Sequence, residues 1–320
     1  MRLRELSAPA YAQAVLPLTQ PLWGRGRSLE AYAEQTLEIS QSPYGRKSYR
    51  TFALSGDGDT ALASFKRYER AAVLDKEHLR ALGIGAVFTP EAFRGRGYAS
   101  AMIGMALDES RRGGFDFAYL FSDIHPKFYR DLGFVELPSR SISLRADALS
   151  TTRLTADPIR ASDWSAIRRC FDATQNRRTW GLTRSPLVWD WIRLRMRQSA
   201  EHASGQPVNL VLRAGRGIAA YVFGQREPRH DAYVVDEFGY SDGADKSVVP
   251  ALLRVAAEDL RRIAGWLPPA GAREALPRGS VRRRTSPVWM IAPLSPAGGR
   301  FVKRAASSGS SDGIWSLDHI

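Results

Sequence analysis

Arg94-Gly95-Arg96-Gly97 puts two arginines and two glycines in one short turn, the types that bind anions, and Tyr98 and Ala99 carry it into a helical pattern. The first turn of a helix offers backbone N–H groups with no partner inside the helix, at the positive end of its dipole. Glycines let those amides approach a phosphate closely, and arginines add bidentate donors. A bare G-x-G would read as an ordinary loop. Here it sits in Val87-Phe88-Thr89-Pro90-Glu91-Ala92-Phe93-Arg94-Gly95-Arg96-Gly97-Tyr98-Ala99, where an apolar strand runs into a turn and then a helix. That helix keeps Ala99, Met102, Ile103, Ala106 and Leu107 at helical spacing. No Gly-Lys-Ser/Thr follows, which excludes a Walker-type ATP loop, and Ser100 stands where a dinucleotide turn needs its third glycine.

The elements that must hold this turn lie on both sides of it. Met1 to Leu6 reads as a strand, Ala8 to Leu18 as a helix, Trp23 to Arg27 as a basic loop, and Ser28 caps a helix from Leu29 to Ser40. Tyr49 to Leu54 and Thr60 to Tyr68 form a hairpin about the turn Gly56-Asp57-Gly58-Asp59, and Ala81 to Phe88 is the strand before the glycines. Gly113-Gly114 ends the helix, Phe115 to Phe121 is another strand, Pro126 to Leu132 a short helix and Gly133 to Leu137 a strand, giving the order βααβββαβαβ. The pattern weakens between Ala146 and Asp157, which puts a boundary at 148/149.

The run ending Arg-Gly-x-Gly-Tyr-Ala resembles the acetyl-CoA signature of the GNAT acetyltransferase superfamily, R/Q-x-x-G-x-G/A after a strand, matched at Arg94, Gly97 and Ala99. The resemblance implies an α/β mixed sheet with splayed central strands over residues 1–148 and acetyl-CoA as co-substrate. Arg94, Gly95, Arg96, Gly97, Tyr98 and Ala99 would grip its pyrophosphate, and the backbone of Ala86, Val87 and Phe88 would pair with its pantetheine arm as an extra strand. The run His125-Pro126-Lys127-Phe128-Tyr129-Arg130-Asp131-Leu132-Gly133-Phe134 resembles the second landmark of that superfamily. It implies Tyr129 as the general acid on the departing thiolate, a role worth roughly 10²–10⁴-fold. Spacing alone places no base for the acceptor amine. Glu69, Asp123 and His125 are the candidates, each equally readable as a solvated strand-end residue, and a water chain would also serve.

Residues 149–320 repeat the order of element types. A helix capped by Ser162 runs through Phe171, and a Trp-rich one spans Ser185 to Arg197. Strands follow at 209–213, 218–224 and 231–240, a long helix at Ser247–Arg262, and late strands at Val288–Ala292 and Ile314–Asp318. Tyr240 to Lys246 occupies the place of a second phosphate turn but has two aspartates, Asp242 and Asp245, and no G-x-G. This half is similar to the degenerate second unit of tandem acetyltransferases such as the enhanced intracellular survival (Eis) proteins, and it would help to shape the acceptor site. In those proteins the last carboxylate reaches the active site. By that resemblance Ile320 is a candidate at the site, against the alternative of an ordinary edge strand after a flexible stretch from Ala305 to Gly313.

The 320 residues are 44% hydrophobic and 25% charged, the composition of folded domains, and no stretch is long and apolar enough for a membrane span. Charges in Met1-Arg2-Leu3-Arg4-Glu5 oppose a secretory leader, and Cys170 is the single cysteine, so a reducing cytoplasm is the expected location and no cysteine-rich metal site is expected. The net charge of +13 invites nucleic acid, but only six of the 46 basic residues are lysine and the arginines are scattered. The function expected is acetyl transfer to a primary amine of a small molecule or peptide, with a homo-oligomer compatible. A catalytically silent acyl-CoA-binding regulator and a basic nucleic-acid-associated protein remain as alternatives.

Overall fold

The computed structural model describes residues 1–56, 60–124, 126–151, 153, 155–175, 179–201, 205–215, 217–308 and 313–320. The expected turn at 57–59 and the candidate His125 lie outside the described residues.

The chain opens with β1 (Arg2–Leu6), then α1 (Ala8–Ala14), α2 (Leu16–Trp23), α3 (Leu29–Gln41) and α4 (Pro43–Ser48). Three antiparallel strands follow, β2 (Tyr49–Ser55), β3 (Ala61–Leu74) and β4 (Glu77–Phe88), then α5 (Tyr98–Arg112), β5 (Phe117–Ser122), α6 (Lys127–Arg130) and β6 (Val135–Glu136). The remainder comprises β7 (Arg140–Arg145), β8 (Ala156–Pro158), α7 (Trp164–Gln175), β9 (Trp180–Thr183), α8 (Pro186–Ala200), β10 (Gln206–Pro207), β11 (Leu210–Ala214), β12 (Gly217–Glu227) and β13 (Ala232–Tyr240). It closes with α9 (Val248–Ala257), β14 (Arg262–Trp266), α10 (Ala270–Arg273), β15 (Ser280–Arg283), β16 (Val288–Pro293) and α11 (Pro296–Ser307).

These strands build two mixed sheets of the same plan. The first runs β1-β2-β3-β4-β5-β16-β6 with β9 on β3, and the second runs β15-β7-β14-β13-β12-β11-β8 with β10 on β12. Each has one parallel pair at its centre, β4 with β5 and β13 with β14. Sheet membership does not follow the chain across 148/149. β7 leaves the first unit to sit between β14 and β15, and β16 returns from the second to sit between β5 and β6. The two crossing segments are stitched at Ser139, whose carbonyl accepts from Arg284 N at 2.8 Å and whose hydroxyl accepts from Trp289 N at 3.2 Å. Trp289 and Met290 of β16 are fully buried, so the returning strand belongs to the core of the first sheet.

Several expected elements shift. The helix expected over Ser247–Arg262 stops at Ala257, where Glu258 takes φ 56, and the remaining residues form β14, pulled out of the helix by parallel pairing with β13. Ser162 does not cap α7: it lies inside a 3-10 turn, Ala161–Asp163, that leads into the helix and is closed by Asp163 Oδ2 accepting from Arg160 N at 2.8 Å. The stretch from Ala305 belongs to α11 as far as Ser307. Ile314–Asp318 is not a strand: Ser316–Asp318 is one tight turn, closed by Trp315 N donating to Asp318 Oδ2 at 3.1 Å.

That turn is clamped between the sheets. Asp318 accepts from Arg70 of β3 at 2.9 Å and from Arg184, between β9 and α8, at 3.1 Å. Arg184 also donates to Glu237 of β13 at 3.0 Å, and Tyr221 of β12 donates to the same carboxylate at 2.7 Å. Burial alone would raise the Asp318 carboxyl, but Arg184 and Arg70 hold it well below the usual carboxylate range. A depressed acid contributes stability above its unfolded value near ~4 and loses it only as pH falls through its folded value. The Asp318 end of the clamp is therefore charged at neutral and mildly acidic pH, whereas burial pushes the Glu237 carboxyl up against the pull of Arg184. Asp318→Ala leaves Arg70 buried without its carboxylate, and we expect it to cost about 3–5 kcal/mol of unfolding free energy, read by denaturant titration. The cost should be undiminished between pH 8 and about pH 5.

Candidate active site

β4 is where the first sheet opens. Its parallel pairing with β5 covers only Ala81, Leu82 and Gly83, opposite Phe117, Ala118 and Tyr119. Beyond Gly83 the two strands diverge, so among the described residues the β5-facing edge of β4 from Ile84 onward has no partner strand. On its other edge the register against β3 jumps from Lys66↔Gly85 to Ser64↔Phe88, which is a bulge of one extra residue at Ala86-Val87. Ala86 takes φ 49, a left-handed conformation that an alanine holds only when its surroundings impose it. A bulge at this point sharpens the local twist and turns the strand end away from β5.

The strand then runs into the glycine turn. Gly95 and Gly97 take φ 75 and φ 77, and a side chain added at either would meet nothing within 4 Å. Gly97 caps α5 without any side-chain hydrogen bond. The first amides of this 15-residue helix therefore face open space beside exposed Arg94 and Arg96. Arg94 is steadied by donation from Nε to the Thr89 carbonyl at 3.2 Å. This is a cradle that an anion of pyrophosphate size fits and that a Cβ would fill. In the second sheet the corresponding turn before α9 is occupied by its own acid: Asp245 Oδ1 accepts from Ser247 N at 2.9 Å.

The two faces of the slot differ. Tyr129 is buried in the cluster that packs α5 against the sheet, with Ile103, Leu120 and Phe134. Burial, with help from the negative charge of Asp123, pushes its phenol up to about 12, so it carries its proton at neutral pH. Asp123 itself is exposed at the end of β5, 3.4 Å from the Ser286 hydroxyl. Glu69 is engaged by Arg67 at 2.8 Å and Arg80 at 3.7 Å, and Arg67 lies over the Phe115 ring of the α5 cluster. The expected site residues thus divide, with Tyr129 and Asp123 near one another and Glu69 committed to two arginines.

The opposite face holds the tail. Ile320 reaches the splayed strand: a Cβ at Gly83 would lie 2.5 Å from Ile320 Cδ1, and one at Gly85 would lie 3.3 Å from its carbonyl carbon. Arg195 of α8 donates to the His319 carbonyl at 2.6 Å, and the His319 ring packs 4.7 Å from Phe121. Burial, then Arg195, Arg284 and Arg25, push His319 down to about 3, so it stays neutral. Of this set the sequence reading singled out Ile320 alone. Arg70, Arg184, Arg195 and the tail pair Asp318-His319 come from four separate places in the chain, and no local spacing connects them. Because the glycines of β4 form the floor under Ile320, Gly83→Ala should destabilise the protein by about 1–3 kcal/mol. Part of that loss should return when Ile320 is also cut to alanine, a non-additivity that a double-mutant cycle of unfolding midpoints measures.

The family model for an acetyltransferase (GNAT) domain matches residues 30–136. A lysine acetyltransferase of Yarrowia lipolytica (strain CLIB 122 / E 150) is 28% identical over 109 residues, 32% of this chain and 28% of that protein. The match therefore spans well under a third of that relative. Among solved structures, a GCN5-related N-acetyltransferase from Anabaena variabilis aligns over 92% of this chain and 73% of its own, with TM-score 0.69 and 13% identity. Eis1 from Mycobacterium abscessus aligns over 92% and 73%, with TM-score 0.57 and 14% identity. At such identities the agreement is one of fold, and it extends through both sheets. The motif at Arg94–Ala99 and the splayed strand fall in or beside the stretch, residues 30–136, that matches the GNAT acetyltransferase domain.

Proposed function

We propose that this protein is an acetyl-CoA-dependent N-acetyltransferase acting on a primary amine of a small molecule or peptide. The observation that carries the reading is the free edge of β4 past Gly83, running into an open glycine cradle at the start of α5. Acetyl-CoA would be held with its pyrophosphate at Arg94–Ala99 and its pantetheine amides along Ala86, Val87 and Phe88, and it supplies an activated acyl group. Tyr129, on the α5 face, donates the proton to the sulfur that leaves. A phenol at about 12 lies above a free thiol, so it holds that proton until negative charge develops beside it.

The amine enters from the tail face. Attack requires the free base, and the arginines that keep His319 neutral would also favour the uncharged form of an amine beside it. The main-chain oxygen of Ile320, next to Gly85, accepts a hydrogen bond from that amine and aims its lone pair into the slot; the proton the nitrogen sheds as the amide forms leaves through a water chain, replacing the one Tyr129 gives to the sulfur. Glu69, held by two arginines, is left out of the proton path. Asp123 acts through Tyr129, its charge helping to keep the phenol protonated.

Calorimetric titration of acetyl-CoA tests the first half of this reading. We expect binding that the double variant Arg94→Ala/Arg96→Ala weakens by roughly tenfold or more, since each charge-assisted hydrogen bond is worth ~1.5–3 kcal/mol. An absence of binding to the wild type would sink it. Thiol release over a panel of amines tests the second half: Tyr129→Phe should lower kcat by roughly 10²-fold or more. The wild-type profile of kcat should show no loss attributable to Tyr129 until the pH nears its value of about 12. An alkaline loss near neutrality that Tyr129→Phe removes would contradict the assignment.

A further inference from the structure

A cavity of about 300 Å³ opens between α8, the second sheet and the tail, and it adjoins the amine side of the slot through His319. Its apolar walls include Met196, Leu317 and Trp266. Trp266 carries the Arg284 guanidinium over its ring at 3.5 Å, so that cation is already stacked. Arg195 also lines the cavity, but its Nη1 is committed to the Leu317 and His319 carbonyls and its guanidinium lies over Trp191. Asp236, on β13, is different. Its carboxylate accepts from the Ser316 hydroxyl at 2.8 Å, and among the described residues no lysine or arginine is hydrogen-bonded to it. The charge of Arg195 reaches it, but a carboxylate taken out of water with no cation in hydrogen-bonding contact is costly, and a cation that enters and bonds to it relieves that cost.

We propose that Asp236 is the recognition site for a second cationic group on the acceptor, which makes the preferred substrate a diamine or a molecule with two basic nitrogens. The proposal rests on the transferase reading above and names the substrate class for that site. Ser316, which holds Asp236, and Ile320, beside Gly85, are four residues apart, so the two ends of the acceptor site lie within ~14 Å of each other. One nitrogen meets Asp236 as a cation. The other, at the arginine-rich end near His319, meets the slot as the free base. Asp236 is thereby a specificity-determining residue, and its burial pushes its carboxyl up to about 6, still ionised at neutral pH.

The test compares thiol release from acetyl-CoA with 1,6-diaminohexane and with hexylamine. The wild type should favour the diamine in kcat/KM by roughly tenfold or more, the worth of one charge-assisted hydrogen bond. Asp236→Asn keeps the acceptor for Ser316 and removes the charge, and it should bring the ratio close to one. Ser199→Trp, at an exposed position on the cavity rim, should lower the same ratio by obstruction without disturbing the clamp. A diamine preference that survives in Asp236→Asn, or none in the wild type, overturns the proposal while transfer to either amine upholds the enzyme. If no amine is acetylated, calorimetry of 1,6-diaminohexane into the protein decides. Binding that Asp236→Asn abolishes keeps the cation site and removes the transferase reading, and no binding to the wild type overturns the site.

Discussion

Two arginines and two carboxylates, buried together, hold this molecule in register. Arg70 comes from the first sheet, Glu237 from the second, Arg184 from the segment between β9 and α8, and Asp318 from the tail, and their formal charges sum to zero. Taking four charges out of water costs several kcal/mol for each ion, and only mutual attraction with good geometry recovers it. Such a cluster does little for net stability against an apolar substitute, but it penalises every arrangement in which one member is missing. Sheet, sheet and tail are thus bound to one mutual placement, and the position of Ile320 under β4 follows from it.

The exchange of strands works in the same direction. β7 and β16 each complete the sheet of the other unit, so neither sheet has its full set of hydrogen bonds from one stretch of chain. A backbone edge left open beside a buried strand would be expensive, which makes the two halves mutually dependent. The cavity and the slot lie between parts secured by this exchange and by the ion cluster.

Within that frame the slot itself is made by local backbone geometry. One extra residue at Ala86-Val87 bends β4, the parallel pairing with β5 stops after three residues, and two glycines with positive φ open the start of α5. Tyr129 and the tail then fall on opposite faces of one sheet. Tyr129 packs among the apolar residues under α5, whereas the tail lies against Tyr68, Trp191 and Trp289 on the other face.

Much of the catalytic half was legible from local pattern. The glycine–arginine turn, the helix after it and the tyrosine thirty residues later are short-range features, because phosphate binding at a helix start needs only consecutive residues. Most expected strands are strands, Val288–Ala292 among them, although Ile314–Asp318 is a turn and β7, β9, β14 and β15 gave no strand signal, and period-two alternation says nothing about which sheet a strand will join. The helix expected to reach Arg262 failed because pairing with β13 outweighs helix propensity for Arg262–Trp266. Asp318 was read within a strand, Asp236 drew no reading, and Arg184 and Arg195 were anonymous among many arginines. The residue types and spacing of this sequence determine an open glycine–arginine turn, a helix after it and most of the order of elements, since each is set within a few turns of chain. The exchange of β7 with β16, the clamp on the tail and the carboxylate in the cavity were decided only by tertiary structure, since their energetics depend on burial and on partners eighty or more residues apart.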